Sequence, residues 1–343
     1  MSTVAAVILF TAVTLYAILG GADFGAGFWD LVAGGTARGE RPREVIDHSI
    51  APVWEANHVW LIFVFVVLWT CFPEAYASIT LTLFVPLSLA ALGIVFRGAS
   101  FAFRKAVFRT RDRRNFGAAF AISSVLVPYF LGSVVGSIAS GRVPAGGVAG
   151  DPWASWVNPT SILSGVLAVC VAAYLAAFFL VADAERLSDD TMAGYFRRRA
   201  TSAGVAAGVV SLAGIVVLHG DAAYLFDGLK SRGLPLVILS AVCGVGALVL
   251  VGRRPLYARV AAVGAVGSVV VAWGVAQWDY LLPTTLKVSA AAAPSGTITA
   301  VLIATGVAVV LVVPAFGLLF VLDQKSLLPE ESVPEPSSLS GRG

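Results

Sequence analysis

Long apolar runs separated by short polar connections dominate the chain. A helix needs about 20 apolar residues to cross about 30 Å of hydrocarbon, and nine runs are of that order. We predict spans at residues 4–21, 53–72, 77–96, 117–139, 160–182, 202–219, 234–251, 257–276 and 298–321. The first run has no positively charged start and leads into Gly20-Gly21, so we expect a retained helix and not a signal peptide.

Lys and Arg residues in the connecting segments alternate from one side of the predicted membrane to the other. Of the 23 such residues, 19 fall in one set of alternate compartments and four in the other. Cytoplasmic loops carry the excess of Lys and Arg. The pattern therefore predicts a multi-pass protein of the cytoplasmic membrane, with the N-terminus outside and the C-terminus in the cytoplasm.

Two segments fall outside the predicted spans. The first connection, 22–52, is long enough to hold a short interfacial helix around Arg43 to Ile50. The last residues, 326–343, are rich in Pro, Ser and Glu, a composition typical of disorder. We therefore divide the chain into a polytopic transmembrane domain, 1–325, and a disordered cytoplasmic tail, 326–343.

Composition supports a membrane protein and argues against several other classes. Hydrophobic residues make up 58% and charged residues 13%, with a mean hydropathy of +0.87, whereas soluble domains carry about 25% charged residues. The net charge of +3 and the lack of a basic segment interleaved with aromatic residues argue against nucleic acid as a partner. The cysteines Cys71, Cys170 and Cys243 form no CxxC pair, so we expect neither a disulfide framework nor a metal site.

Ionisable residues next to long apolar runs are the candidates for function, because charge is costly inside a membrane. Asp23 lies at the predicted end of the first helix, and IAPVWEANHVWLI begins the second. Glu55 and His58 are three residues apart and share one helix face. A carboxylate and an imidazole at a membrane entrance predict a relay for cytoplasmic protons.

Structural explanations compete with this hypothesis. Glu55 and Asn57 are also residues that cap helix ends, and Trp54 and Trp60 are also typical of an interfacial aromatic belt. Arg97 begins a strongly basic loop, where it either pairs with a buried carboxylate or anchors the helix by the positive-inside rule.

Haem and nucleotide sites are not expected in this chain. Its three histidines are His48, His58 and His219, and no two of them clearly fall on facing helices at matched depth, as a bis-histidine haem requires. Neither a Walker A loop nor a GxGxxG turn is present in the sequence.

With these residues described, the sequence resembles subunit II of the cytochrome bd-type quinol oxidases, from about residue 4 to about residue 325. The resemblance rests on five strings in order along the chain. They are DFGAG from Asp23, IAPVWEANHVWLI from Ile50, FRG from Phe96, LFDGLKSRGLPL from Leu225 and YLLPTTLKVSAAAAP from Tyr280.

The resemblance implies an all-α fold of about nine transmembrane helices, with two four-helix bundles and one peripheral helix. It implies a haem-free subunit, not catalytic alone, of a membrane enzyme that oxidises quinol and reduces dioxygen to water. Haem b and haem d are then expected in the partner, subunit I. Membrane lipid, a bound quinone and small single-helix subunits are the other expected partners.

The resemblance also implies site residues. Asp23 and Glu55 correspond to proton-path acids, and Trp54, Asn57 and Trp60 would support the local structure. The position of His58 is more often Glu or Gln in the family, so His58 as a proton-path candidate and Arg97 as a supporting residue rest on their own positions beside apolar runs. The residue that aligns with a further acid of the family is Gly20, and the usual Trp-Asp-Gly-Asn reads Trp-Glu-Ala-Asn from Trp54. We hypothesise that Glu55, helped by His58, still takes up protons in this divergent branch.

Two other functions remain as alternatives. A proton-coupled secondary transporter often contains helices broken by Gly or Pro at mid-membrane, but here Pro314 alone lies well inside a predicted span. A structural assembly partner without a role in proton or quinone traffic would differ from the oxidase hypothesis only in the roles of Asp23 and Glu55.

Overall fold

The computed structural model describes the backbone of residues 1–50, 54–106 and 110–324. The side chains of residues 36, 37, 50, 54–56, 104–106, 110–114 and six positions between 313 and 324 lie outside that description, as does the whole predicted tail 326–343. Two compact units divide the chain, Met1–Ile298 and Thr299–Gly343.

The described chain folds into thirteen helices and one short hairpin. The helices are α1 (Ser2–Leu31), α2 (Thr36–Ile50), α3 (Trp54–Cys71), α4 (Pro73–Thr82), α5 (Phe84–Ala106), α6 (Thr110–Ala139), α7 (Pro159–Arg186), α8 (Asp190–Asp221), α9 (Ala223–Lys230), α10 (Leu234–Leu250), α11 (Pro255–Gln277), α12 (Val288–Ala291) and α13 (Ser295–Gln324). The antiparallel strands β1 (Tyr280–Leu282) and β2 (Leu286–Lys287) form the hairpin.

The predicted fold class, an all-α integral membrane protein with about nine spans, is confirmed. Within the described ranges, seven helices are long and apolar enough to cross a membrane by themselves. Two bent pairs, α3 with α4 and α9 with α10, raise the number to nine if each pair counts as one span. The inside–outside orientation stays a prediction. The helix expected near Arg43 to Ile50 is present as α2, which begins earlier, at Thr36.

Two predicted helix boundaries were wrong. The span predicted at 77–96 straddles α4 and α5, because Pro73 starts a separate helix bent by 120° from α3 and the membrane-length helix begins only at Phe84. The first helix does not end at Asp23. It continues through both glycines of Gly20-Gly21 to Leu31, so Asp23 lies inside α1, about 12 Å before its end at a rise of 1.5 Å per residue.

Consecutive long helices of the bundle pack as pairs, α5 with α6, α7 with α8 and α10 with α11. Helix α1 packs on α3, α6 and α7, and α6 also packs on α7. Among the described residues, a large buried cluster around α7 includes Trp29, whose indole Nε1–H donates a 2.8 Å hydrogen bond to the Ala173 carbonyl of α7.

The two ends of this bundle differ in chemistry. At the end where α1 terminates, which we call the basic end, Arg43 of α2 donates a 2.6 Å hydrogen bond to Asp30 of α1. The opposite end carries the hairpin and the long connection between α6 and α7. There Arg142 and Asp221 form a close ion pair, with Nη2 and Oδ1 2.6 Å apart.

Side chains of α4 hold part of that long connection in place. Glu74, Ser78 and Thr82 accept hydrogen bonds from the backbone N–H groups of Gly146, Gly147 and Gly150, at 2.8, 3.0 and 2.9 Å. The three acceptors are spaced four residues apart, so they lie along one face of the helix. The short α4 therefore supplies the partners that this stretch of loop backbone needs.

Candidate functional site

A buried arginine is the centre of the candidate site. Arg97 lies on α5 and its side chain is 1% exposed. Its Nη2 donates a 3.0 Å hydrogen bond to the backbone carbonyl of Asp23 on α1, and its Nε donates one of 3.0 Å to the Ser124 hydroxyl of α6. Ser124 in turn donates to the Phe120 carbonyl at 2.7 Å. One guanidinium thus connects α1, α5 and α6.

The carboxyl group of Asp23 faces this guanidinium at a longer distance. Its Oδ2 lies 3.9 Å from Arg97 Nη1, and its side chain is 3% exposed. Among the described residues, Oδ2 has no hydrogen-bond partner. The two side chains are therefore in ionic contact without a hydrogen bond between them. Arg97 donates its hydrogen bonds to Ser124 and to the Asp23 backbone carbonyl, so Asp23 Oδ2 inside the protein can still accept one.

Helix α3 supplies the other polar groups of the site. Asn57 is buried, and its Nδ2 donates a 3.4 Å hydrogen bond to the Leu19 carbonyl of α1. His58 packs edge-on against Phe24, with 5.7 Å between the ring centroids. The beginning of α3 therefore places an amide and an imidazole beside the segment of α1 that carries Asp23.

The glycines of Asp23–Gly27 let α1 approach its neighbours closely enough to build the site. A Cβ on Gly25 would lie 1.8 Å from the Ala172 carbonyl oxygen of α7. A Cβ on Gly27 would lie 2.1 Å from the Ser124 hydroxyl oxygen that holds Arg97. No larger residue fits either position without a shift of the backbone. Close packing of α1 on α6 and α7 therefore explains why glycine stands at these two positions of the motif.

Aromatic rings surround the guanidinium. Arg97 Cζ lies 4.9 Å from the centroid of the Phe24 ring and 4.8 Å from that of Phe120. Such cation–π contacts compensate part of the cost of removing the charge from water. Tyr16, two turns before Asp23 on α1, packs edge-on against both Phe24 and His58, at 6.5 and 6.3 Å between centroids.

The arrangement can hold a proton inside the membrane region. A carboxyl group accepts and releases protons, whereas arginine stays charged in proteins. Because Arg97 is fixed by its bonds to Ser124 and to a backbone carbonyl, a proton can move to or from the free oxygen of Asp23 without disturbing the hydrogen bonds of the arginine.

The structure brings together Asp23, Asn57, His58 and Arg97 of the predicted site. Trp60 is half-buried on α3. The backbone of Trp54 and Glu55 begins α3, but their side chains lie outside the described residues. The other histidines lie elsewhere: His48 is exposed on α2, and His219 packs on Phe226 at the end opposite the basic end.

Sequence reasoning missed Ser124, Phe120 and Tyr16. Each lies within an apolar run and resembles an ordinary core residue, so residue type alone does not single it out. The pair Ser123-Ser124 within the run 117–139 was the available signal, because a hydroxyl in a span indicates a nearby polar partner. Among the described residues, no three His, Cys, Asp or Glu side chains lie close enough to hold a metal ion.

An apolar groove lies between α1 and α11, near the end where α1 begins. Its volume is about 510 Å³, and Phe10, Thr14 and Gly274 are among the residues that line it. Arg232 and Trp278 also contribute to the lining. Thr14 donates its hydroxyl to the Phe10 carbonyl at 2.8 Å, and Arg232 donates to the carbonyls of Ala276 and Trp278. The Thr14 hydroxyl and the two terminal nitrogens of Arg232 therefore already donate within the protein.

Comparison with known proteins places this architecture in a family. The family model described as cytochrome bd terminal oxidase subunit II matches residues 1–322. The chain belongs to this family. As a subunit II chain it is a multi-pass membrane protein, which confirms the predicted resemblance and localisation.

Individual relatives are similar at moderate identity. Cytochrome bd ubiquinol oxidase subunit 2 of Bacillus subtilis (strain 168) is 25% identical over 240 residues, covering 69% of this chain and 68% of that protein. Cytochrome bd-I ubiquinol oxidase subunit 2 of Escherichia coli (strain K12) is 28% identical over 221 residues, covering 61% and 55%. The match to the Escherichia coli subunit II thus spans about half of that relative's length.

A solved structure shares the fold. One chain of the bd oxidase from Geobacillus thermodenitrificans superposes with a TM-score of 0.79 and is 24% identical. The match covers 94% of this chain and 98% of that one. At this identity the likeness concerns the fold alone.

Proposed function

We propose that this chain is the haem-free subunit of a membrane enzyme that oxidises quinol and reduces dioxygen to water. It works with a haem-bearing subunit I and is not catalytic alone. Its own part is to support assembly and to carry protons from the basic end toward the partner. Asp23 is the central proton-carrying group of this path, and Arg97 fixes its surroundings.

The observation that carries the proposal is the free carboxylate oxygen of Asp23 inside a membrane span. A charged group there is expensive, and ionisable residues within spans mark ion and proton pathways. Asp23 is 4% exposed, faces Arg97 at 3.9 Å, and keeps Oδ2 without a hydrogen-bond partner among the described residues. A purely structural ion pair would be expected to use both oxygens.

The partner and its cofactors are tested by purification. The chain is purified gently through a C-terminal tag, the accompanying chains are identified, and a reduced-minus-oxidised visible spectrum is recorded. We expect a second large membrane chain with the bands of haem b and haem d. A colourless chain that purifies alone from cells containing the candidate partner would overturn the oxidase proposal in favour of a transporter.

The proton role is tested with Asp23→Asn, which keeps the size of the side chain and removes the titrating group. In the assembled complex we expect oxygen consumption per haem to fall by about 100-fold, the lower range for loss of a proton-transfer group. Asp189→Asn is the control, because Asp189 precedes α8 near the basic end and is not part of the site. Equal rates for Asp23→Asn and wild type would leave only an assembly role.

Glu55 is proposed as the acid that takes up protons before Asp23. It lies two residues before Asn57, which bonds the Leu19 carbonyl of α1, and three before His58, which packs on Phe24 next to Asp23. Glu55→Gln should slow oxygen consumption in the assembled enzyme, with the largest effect at high pH, where protons are scarce. Unchanged turnover at every pH would remove Glu55 from the path.

The groove between α1 and α11 is the place proposed for a quinone in this chain. Its volume of about 510 Å³ and apolar lining suit an isoprenoid tail, while the engaged donors of Thr14 and Arg232 leave little for a quinone head group. The quinone would therefore be held by its tail. Gly274→Leu should fill the groove and lower the quinone content measured after solvent extraction, and an unchanged content would rule out the groove.

A further inference from the structure

Two buried polar atoms lie along one face of α1 without a hydrogen-bond partner among the described residues. They are Asp23 Oδ2 and the hydroxyl oxygen of Tyr16. Residues seven apart on a helix lie on the same face, about 10 Å apart along the axis. Tyr16 belongs to the part of α1 nearer its start than Asp23, and therefore farther from the basic end.

The ring of Tyr16 extends along α1 toward Asp23. A Cβ built on Gly20 would lie 2.8 Å from Tyr16 Cε2 and 3.3 Å from Cζ, so the ring covers Gly20. It also reaches Phe24, eight residues along the chain, at 6.5 Å between centroids. Because Gly20 has no side chain, the Tyr16 ring can lie along this face of α1 in the direction of Asp23.

The ring neighbours of Tyr16 belong to the Asp23 site. The His58 imidazole packs against its ring at 6.3 Å between centroids, and Phe24, the residue after Asp23, does so at 6.5 Å. A buried hydroxyl without a partner is unfavourable, and phenylalanine would fill the same space. The Tyr174 hydroxyl is buried in the same way, so it is the contact of the Tyr16 ring with the residues around Asp23 that favours a polar ligand here.

We propose that the Tyr16 hydroxyl and Asp23 Oδ2 together bind water, and that Tyr16 is the next group after Asp23 in the proton path. Water suits the site because a buried water bonds about three otherwise unsatisfied polar atoms. This inference rests on the proposed function and deepens it, because it adds a second proton-carrying group on α1 beside Asp23.

The proposed transfer needs no redox partner. A protonated Asp23 gives its proton to the bound water, which passes one proton to a lone pair of the Tyr16 oxygen. The phenol releases its own O–H proton to a water on its far side. The new O–H bond replaces the broken one, so Tyr16 stays neutral, and Asp23 is left as a carboxylate that takes the next proton from the basic end.

The test is Tyr16→Phe in the assembled complex, with oxygen consumption expressed per haem. We expect the rate to fall about tenfold, the effect of about 1.4 kcal/mol on the barrier. The matched control is Tyr174→Phe on α7. The Tyr174 hydroxyl is also buried without a partner among the described residues, but it lies in the main core cluster away from Asp23. The control should keep the wild-type rate.

A rescue variant separates proton transfer from packing. Tyr16→Ala should be slow, and adding Gly20→Glu should restore at least part of the rate, because the new carboxyl would occupy the space that the ring leaves. The solvent isotope effect of Tyr16→Phe should exceed that of wild type. A wild-type rate and isotope effect for Tyr16→Phe, with a slow Asp23→Asn, would overturn this inference alone. A wild-type rate for Asp23→Asn would overturn the proposed function beneath it.

Discussion

The two ion pairs Arg142–Asp221 and Arg97–Asp23 differ in how well hydrogen bonds satisfy their carboxylates. At the end opposite the basic end, Asp221 receives two hydrogen bonds from Arg142, at 2.6 and 3.1 Å, and two more from the backbone and side chain of Thr160, at 3.1 and 2.6 Å. Inside the bundle, Asp23 and Arg97 are deeper but lie 3.9 Å apart. The more exposed pair is therefore the better satisfied one.

The difference indicates that the interior pair is not built for stability alone. Side-chain exposure is 32% for Arg142 and 18% for Asp221, against 1% for Arg97 and 3% for Asp23. Buried charges need excellent geometry to offset their desolvation. Asp221 has such geometry although its partial exposure makes its desolvation cost smaller. Asp23, which is more deeply buried, keeps one oxygen without a hydrogen-bond partner among the described residues. An unpaired oxygen is useful to a group that must exchange protons.

The largest effect is expected when the interior pair is broken. Arg97→Gln leaves Asp23 buried without its counter-charge, which should destabilise the chain by about 3–5 kcal/mol. Thermal unfolding and yield of the purified complex measure it. The double variant Asp23→Asn/Arg97→Gln should recover part of the loss, because it removes both charges. If Arg97→Gln were as stable as wild type, Asp23 and Arg97 would not form a buried ion pair of two charged groups.

The second prediction concerns Gly27, which packs against the Ser124 hydroxyl that holds Arg97. Gly27→Ala would place a methyl group 2.1 Å from the Ser124 hydroxyl oxygen and 2.4 Å from Ser124 Cβ. Overpacking of this kind costs about 1–3 kcal/mol. Gly208→Ala on α8 is the matched control, because nothing lies within 4 Å of the added Cβ. Equal thermal stability of the two variants would mean that α1 can move away from α6 at no cost.

A smaller effect is expected at the other ion pair. Asp221→Asn removes charge from a network of four hydrogen bonds. Partial exposure to solvent reduces its effect, and we expect a loss of about 1–2 kcal/mol. Oxygen consumption per haem should not change. The stability difference should shrink in high salt, and a difference that is independent of salt would indicate that packing, not charge, holds this end.

The smallest effect, and one that depends on pH, is expected at the start of α8. The Met192 N–H donates a hydrogen bond to the Asp189 carboxylate and lowers the pKa of Asp189, with Arg41 contributing. Because the folded pKa lies below the unfolded one, the stabilisation is present above about pH 4 and is lost as the pH falls through the folded pKa.

Asp189→Ala should therefore lower the thermal unfolding temperature slightly at pH 7, by less than Asp221→Asn does. The difference from wild type should stay constant down to about pH 5 and decrease below about pH 4. A difference that grew at low pH would contradict the direction of the pKa shift. Asp190→Ala, at the next position, is the control that lacks the capping hydrogen bond.

The sequence predicted the spans well because their apolar length is a local property. It misplaced the end of α1 because two adjacent glycines resemble a helix terminus, whereas in the structure the helix continues through Gly20-Gly21 to Leu31. It merged α4 with α5 because the apolar run continues through Leu83, and hydropathy does not report that α4 ends at Thr82 and a new helix begins at Phe84.

The site was predictable only in part for a different reason. Asp23, Asn57, His58 and Arg97 stand out because polar residues next to apolar runs are rare. That Arg97 meets the backbone of Asp23 is a contact across 74 positions, which follows from helix packing and not from any local pattern. Tyr16 was missed because a single tyrosine in an apolar helix has no distinguishing neighbours in sequence.

That separation of 74 positions also has a consequence for biosynthesis. Helix α1 leaves the ribosome and enters the bilayer long before α5 exists, so Asp23 must first be inserted without a counter-charge. A lone carboxyl among apolar residues can be inserted in its protonated, neutral form. The ion pair would then form only after Arg97 has been inserted and α6 has supplied Ser124 to hold it, so the deprotonation of Asp23 would follow the assembly of α1, α5 and α6.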